Sequence, residues 1–285
     1  MSPQTGRYLE LARLGKNQWW RYVLGACTIA FFWLVLGYVP YLLLLGTDLN
    51  EPLLDYLAVN FSIFMMFGGL AVSVKLIHRR PLSSLITPES RLDWRRMARG
   101  AVVWGVLAIL VVVAEHALYP GRYYLSFNPE RFFVFLALVL VLTPIQSAVE
   151  ELVFRGYAMQ GLGLLARNPA LIAIASSVLF TLPHLLNPEV YRHGMLIMAA
   201  NYFAIGMLLA TIALRDGRLE LAIGVHAMNN VFLALVANYE GSSLSTESIF
   251  TARDLDPVYS LVTLVAGTLV FHGWVFGRAR PTGAA

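Results

Sequence analysis

The sequence predicts an all-α polytopic membrane protein of about eight transmembrane helices, with both termini cytoplasmic. Three observations carry that expectation. The 285 residues are 58% hydrophobic and only 13% charged, whereas a soluble domain carries about 25% charged residues. Eight apolar segments approach the ~20 residues that a helix needs to cross a bilayer. The basic residues gather in alternate loops, as membrane orientation requires. No large polar segment is left over, so 1–285 reads as a single membrane domain with a basic tail at 1–21 and a short tail at 278–285.

The candidate spans are 22–45, 53–77, 98–118, 132–165, 170–187, 195–214, 219–238 and 257–277. Trp19 and Trp20 flank the first and Trp274 the last, as interfacial anchors do. The fourth is too long for one simple crossing. Pro144 inside it should kink or break the helix, giving a short lead-in and then the true span. The loop before the first span carries Arg7, Arg13, Lys16 and Arg21, and the second-to-third connection carries Lys75, Arg79, Arg80, Arg91, Arg95, Arg96 and Arg99. Arg155, Arg167, Arg215, Arg218, Arg278 and Arg280 fall on the same side, against Arg122, Arg131, Arg192 and Arg253 on the other. That asymmetry places both ends in the cytoplasm and accounts for the basic 75–99 loop without a ligand. The opposite loops lean acidic, with Asp48, Glu51, Asp55, Glu240, Glu247, Asp254 and Asp256 read as solvated charges.

The net charge of +4 does not imply nucleic acid, because no Gly-rich phosphate loop or aromatic-basic interleaving accompanies it. The start of the chain shows no cleavage-site pattern and reads as lacking a removable signal peptide. The single cysteine, Cys27, excludes an intrachain disulfide and a multi-cysteine metal site, and reads as a small packing residue.

Few polar groups remain inside the spans. The fourth carries Glu150, Glu151 and Arg155; the fifth His184; the seventh His226, Asn229 and Asn230. An ionisable group at membrane depth costs about 2.5–3.5 kcal/mol on insertion scales, so two adjacent glutamates need a reason. Glu151 and Arg155 are i and i+4 with the acid first, the favourable order for an ion pair. Glu150 lies about 100° round the helix and has no such partner, which makes it a candidate general base. His226 and Asn230 share a helix face, while Asn229 points to a neighbouring helix. At about 1.5 Å per residue, Glu150 and His184 lie roughly 20 Å, and His226 roughly 10 Å, from the nearest cytoplasmic helix ends. Glu115, His116, His78, His193 and His272 read as surface groups near span ends or in loops.

A carboxylate, imidazoles and a carboxamide suit water activation and oxyanion stabilisation. Glu150 would take a proton from a water also held by His184, and His226 and Asn230 would donate to the oxyanion. The residues leave a zinc version open, with Glu150, His184 and His226 as three ligands and a fourth position for water. A His-Glu-x-x-His motif, a Gly-x-Ser-x-Gly elbow and an intramembrane Asp pair are all missing.

In Glu150-Glu151-x-x-x-Arg155, Phe180-x-x-x-His184 and His226-x-x-x-Asn230, the chain resembles the CAAX protease and bacteriocin-processing family of membrane proteins, also called CPBP or Abi. The motif region is about 140–235. The resemblance implies an intramembrane endopeptidase with Glu150 as the catalytic glutamate, His184, His226 and Asn230 as its partners, and Glu151 and Arg155 as structural support. Members are called both metalloproteases and glutamate proteases, so the resemblance leaves the metal open. Prenylated CAAX proteins are the type substrate in eukaryotes. Here only two of 21 basic residues are lysine, which with the Ala- and Leu-rich composition points to a high-GC bacterium and its cytoplasmic (inner) membrane. The expected substrate is then a peptide or membrane-protein segment, with the bilayer as solvent and no nucleic acid. The competing readings are a non-catalytic scaffold or bacteriocin-immunity protein that binds a partner, and a transporter with Glu150 as proton relay.

Overall fold

The computed structural model describes residues 2–43, 52–244 and 246–277. Asp48, Glu51, Arg278, Arg280 and the 278–285 tail lie outside the described residues. The chain folds as ten helices in the described residues: α1 (Pro3–Glu10), α2 (Trp19–Leu43), α3 (Pro52–Ile77), α4 (Trp94–Leu118), α5 (Pro129–Leu165), α6 (Pro169–His184), α7 (Pro188–His193), α8 (Met195–Asp216), α9 (Glu220–Leu235) and α10 (Pro257–Phe276). Six of them (α2, α3, α4, α5, α8 and α10) are long and apolar enough to cross a membrane, and α6 and α9 are shorter apolar helices. The protein is an all-α polytopic membrane protein.

Several helices start where sequence chemistry sets them. Asn128, Asn168 and Asp256 each cap the first turn through a side-chain oxygen, and each precedes a proline at the first helical position. The cap satisfies an orphan amide and the proline costs none. Asp93 caps α4 alone, accepting from the amides of Arg95 and Arg96. Gly217 ends α8 at φ 68°, a left-handed position that suits glycine.

Pro144 does not break the fourth span. Helix α5 runs unbroken from Pro129 to Leu165. Its irregularity begins directly after the glutamates, where Leu152–Ala158 widens into a π-helix. Carbonyls in that widened stretch take outside donors: the Ser176 hydroxyl donates to Phe154 O at 3.0 Å, and Tyr8 donates to Arg155 O at 3.1 Å. π-Segments recur at functional sites.

Glycines let α9 sink against α4. A Cβ on Gly224 would lie 2.0 Å from the Met97 carbonyl oxygen, and one on Gly100 2.4 Å from that of Leu221. Small residues of this kind permit close backbone approach where lipid supplies no hydrophobic drive.

The face that carries the basic loops is a built shelf. Helix α1 docks through Thr5, which donates to Leu214 O at 2.6 Å, and through buried Tyr8, whose one hydroxyl hydrogen is shared between Leu85 O at 2.9 Å and Arg155 O at 3.1 Å. His78 is not a surface group. It is 1% exposed, with Nδ1 on Lys16 O at 2.8 Å and Nε2 on the Tyr157 hydroxyl at 2.9 Å. On the opposite face, three short strands, Tyr123–Leu125, Ala237–Tyr239 and Phe250–Ala252, form a small sheet that the periodicity did not announce. The third strand is central, antiparallel to the first and parallel to the second. Glu115 is buried beside this sheet rather than snorkelling. It accepts from Arg122 at 2.7 Å and from the Tyr123 hydroxyl at 2.6 Å, while His116 is exposed as anticipated. His193 and His272 are half-buried rather than at the surface; the Thr211 hydroxyl and a His272 ring nitrogen pair at 3.0 Å. Cys27 is exposed on α2 and is not the buried packing residue expected.

Candidate active site

Glu150 and Glu151 both lie in the protein interior, with very different surroundings. Glu151 is fully buried and accepts from Arg155 Nη1 at 2.8 Å and from His226 Nδ1 at 2.8 Å. Arg155 is also fully buried. Its other terminal nitrogen donates to Gly206 O at 3.1 Å, and its guanidinium stacks 4.3 Å over the Phe180 ring. The ion pair expected from the i, i+4 spacing is therefore present, and it does more than hold Arg155. It also fixes an imidazole on α9.

Among the described residues, Glu150 makes no ion pair closer than 3.8 Å, the distance from its Oε2 to His226 Nε2. It accepts a hydrogen bond from Gln146 Nε2 at 3.3 Å, one turn earlier on the same face. It lines a cavity of about 100 Å³ together with Trp33, Ile63, Met66, Phe154, Pro183, His184 and Asn187. That volume admits water, and the wall offers the polar partners that ordered water needs.

Phe180 explains why an aromatic residue precedes His184 by one turn. Its carbonyl takes His184 Nδ1 at 2.7 Å, its ring meets the His184 ring at 4.4 Å, and the same ring carries Arg155. With Nδ1 donating to that carbonyl, His184 presents Nε2 as an acceptor. Tyr202 of α8 packs against the His184 ring at 4.7 Å.

Helices α5 and α9 run antiparallel and meet on two rungs: His226 with Glu151, and Asn230 with Ser147, whose hydroxyl accepts from Asn230 Nδ2 at 3.3 Å. Both spacings are i, i+4, so a single helix–helix contact creates both pairs. Asn230 Oδ1 accepts from Asn229 at 3.2 Å. Asn229 reaches a neighbouring helix, as its angle implied, accepting from Trp104 Nε1 at 3.1 Å. The depth count needs one amendment. His226 meets Glu151 although it stands only about 9 Å into α9, against about 22 Å for Glu150 from the end of α5. Helix α9 begins against the shelf, where the Leu219 amide is bonded to Ile86 O and Gly217 abuts the Gln4 backbone.

Thus Glu150 and His184 share a cavity, His226 is held between the two glutamates, and Asn230 lies one turn from His226 outside the residues that line the cavity. Among the described residues, no group of three His, Cys, Asp or Glu side chains comes together as a metal would require. Glu150, His184 and His226 therefore do not fit as a ready zinc triad, and no step below runs through a metal. Sequence reasoning missed Gln146, which its i−4 spacing to Glu150 would have flagged. It also missed Trp33, Ile63 and Met66, ordinary apolar residues that carry no sequence signal.

The fold and this centre define a class: polytopic membrane proteins with a glutamate–histidine–histidine–asparagine centre inside the helix bundle. A family model, type II CAAX prenyl endopeptidase Rce1-like, matches residues 129–232, which include every motif residue above. Over 276 residues the chain is 30% identical to "Uncharacterized protein YyaK" of Bacillus subtilis (strain 168), covering 91% of this chain and 92% of that one. No solved structure matches the chain. The chain belongs to the Rce1-like type II CAAX prenyl endopeptidase family of integral membrane proteins.

Proposed function

We propose that this protein is an intramembrane endopeptidase that hydrolyses a peptide bond by glutamate-activated water. The observation that carries the reading is the division of the glutamate pair. Glu151 is committed to Arg155 and His226, whereas Glu150 faces a water-sized cavity shared with His184. A carboxylate inside a membrane bundle held, among the described residues, only by a 3.8 Å contact with His226 and one amide donor is a functional group by default.

In the proposed reaction, a water in the cavity donates one hydrogen to Glu150 and the other to His184 Nε2. Its oxygen attacks the peptide carbonyl carbon as Glu150 takes the proton. The oxyanion accepts from the free N–H of the Asn230 amide and from the Nε2–H of His226, which acts as an imidazolium between the two glutamates because its Nδ1–H is already given to Glu151. Such contacts are worth about 2.7–4 kcal/mol each in well-studied hydrolases. The C–N bond then breaks and Glu150 returns its proton to the departing amine.

The six long and two shorter apolar helices support eight crossings. The basic face, with α1 and both termini, belongs on the cytoplasmic side of the bacterial inner membrane by its excess of Lys and Arg. The substrate class is a peptide or a membrane-protein segment, and the basic patches need no nucleic acid. Glu150→Gln tests the reading. It removes the base while keeping volume and a hydrogen-bonding partner for Gln146, so cleavage should be lost with normal yield and melting temperature. Undiminished cleavage by that variant would refute Glu150 as the base, and an unchanged cellular phenotype without cleavage would instead support a partner-binding scaffold. The same variant used as a trap, with mass spectrometry of what it retains, identifies the substrate.

A further inference from the structure

Asn187 lines the cavity that Glu150 and His184 share. It follows α6 closely, and its amide N–H is bonded to His184 O at 3.1 Å, so its position relative to that histidine is fixed. Its side chain is oriented by a network that leads away from the cavity. Glu189 is 1% exposed, and its Oε1 accepts from the Tyr202 hydroxyl and, at 3.0 Å, from the Ser243 hydroxyl. Each hydroxyl has a single hydrogen, and both hydrogens are spent on Glu189. Their oxygens can then only accept from Asn187. They do so from Nδ2, at 2.9 Å for Tyr202 and 3.4 Å for Ser243. Both amide hydrogens are thereby consumed, which settles which end of the carboxamide is nitrogen and leaves Oδ1 as an acceptor without a partner among the described residues.

We infer that Asn187 Oδ1 is a substrate-binding group, which accepts a backbone N–H next to the scissile peptide and so sets that peptide between Glu150 and His184. An acceptor fixed at the wall of a largely apolar cavity discriminates well, because a peptide N–H brought there without a partner costs free energy. Glu189, Tyr202 and Ser243 are positioning residues in this account, since they aim the amide without touching substrate. The Tyr202 ring, packed on His184, couples the same network to the water-binding histidine.

The inference rests on the endopeptidase reading, and the experiment separates the two. The probe is an internally quenched peptide selected from a library by cleavage with wild-type protein in detergent micelles, together with analogues N-methylated at one amide each. Wild type should lose about fivefold to tenfold in kcat/KM at one amide position, the scale of a single neutral hydrogen bond. Asn187→Ala should show that loss on the parent peptide and no further loss on that one analogue. Asn187→Asp, which retains an acceptor oxygen, should keep the sensitivity to N-methylation. Equal N-methyl penalties in wild type and Asn187→Ala at every position overturn the inference and leave the endopeptidase reading standing. If no library peptide is cut by wild type above the Glu150→Gln background, both fall. Melting curves guard against a folding defect; should Asn187→Ala melt early, Asn187→Ser replaces it in the same comparison.

Discussion

Replacing Glu151 by methionine should destabilise the protein far more than replacing Glu151 and Arg155 together. The pair is fully excluded from solvent, with Arg155 Nη1 2.8 Å from Glu151 Oε1. In Glu151→Met the guanidinium keeps its bond to Gly206 O and its stack on Phe180, but it becomes an uncompensated buried charge. Breaking a buried pair from one side costs about 3–5 kcal/mol, a large share of the roughly 5–15 kcal/mol that holds a folded protein together. Removing both charges trades the pair for apolar side chains of similar volume, which is commonly neutral or favourable. Glu151→Met/Arg155→Met should therefore recover most of the loss. Activity should not recover with it, because His226 Nδ1 has lost its acceptor in both variants. Losing the carboxylate that orients a catalytic histidine costs about 10⁴-fold in the serine-protease triad. The assay is thermal unfolding in detergent micelles, followed by size-exclusion fluorescence, alongside cleavage of the selected peptide. A single variant that melts within a degree or two of wild type would refute the argument. So would a double variant no more stable than the single, or one that cleaves normally.

Three further outcomes follow from the same geometry. Gly224→Ala drives a Cβ to within 2.0 Å of the Met97 carbonyl oxygen; α4 and α9 must separate, at about 1–3 kcal/mol, and cleavage should fall with stability because His226 rides on α9. A backbone oxygen cannot swing aside as the end of a side chain can, so Gly224→Ser should behave no better in the same melting assay. Burial holds the His78 imidazole below its ordinary value of 6.5, so the unfolded chain binds the extra proton first. Its contribution to stability is present above pH 6.5 and is lost as pH falls below that value towards the depressed folded one; melting temperatures across this range should drop for wild type and drop less for His78→Gln. Purified protein treated with chelator should keep its cleavage rate, and elemental analysis should find no stoichiometric zinc; loss of activity restored by zinc would overturn the metal-free mechanism.

How much of this was legible in the sequence differs from element to element. The all-helical, membrane-spanning character was, because composition and the need to satisfy every backbone group in lipid leave helices as the reading, whereas six of the eight expected spans are helices long and apolar enough to cross. The Glu151–Arg155 pair was legible too, since i, i+4 spacing is a local property of one helix. Pro144 misled: a proline removes one hydrogen bond, but packing carried α5 through it unbroken, and the disturbance fell instead at 152–158, where Ser176 and Tyr8 supply outside donors. His78 and Glu115 look like loop and interface residues along the chain, yet both are buried, because partners far away in sequence or across a turn close over them.

By itself, the sequence determined that this is a helical membrane protein and which polar residues its apolar composition must account for, since burial of charge is penalised wherever it occurs. Only the tertiary structure decided what each polar residue touches. Glu150 and Glu151 are neighbours with the same side chain, and no local rule assigns one to both Arg155 and His226 and the other to a cavity shared with His184. That assignment depends on where α6 and α9 cross α5. Those crossings are set by glycine contacts, a π-helical turn and the docked shelf, all of which are properties of the assembled bundle.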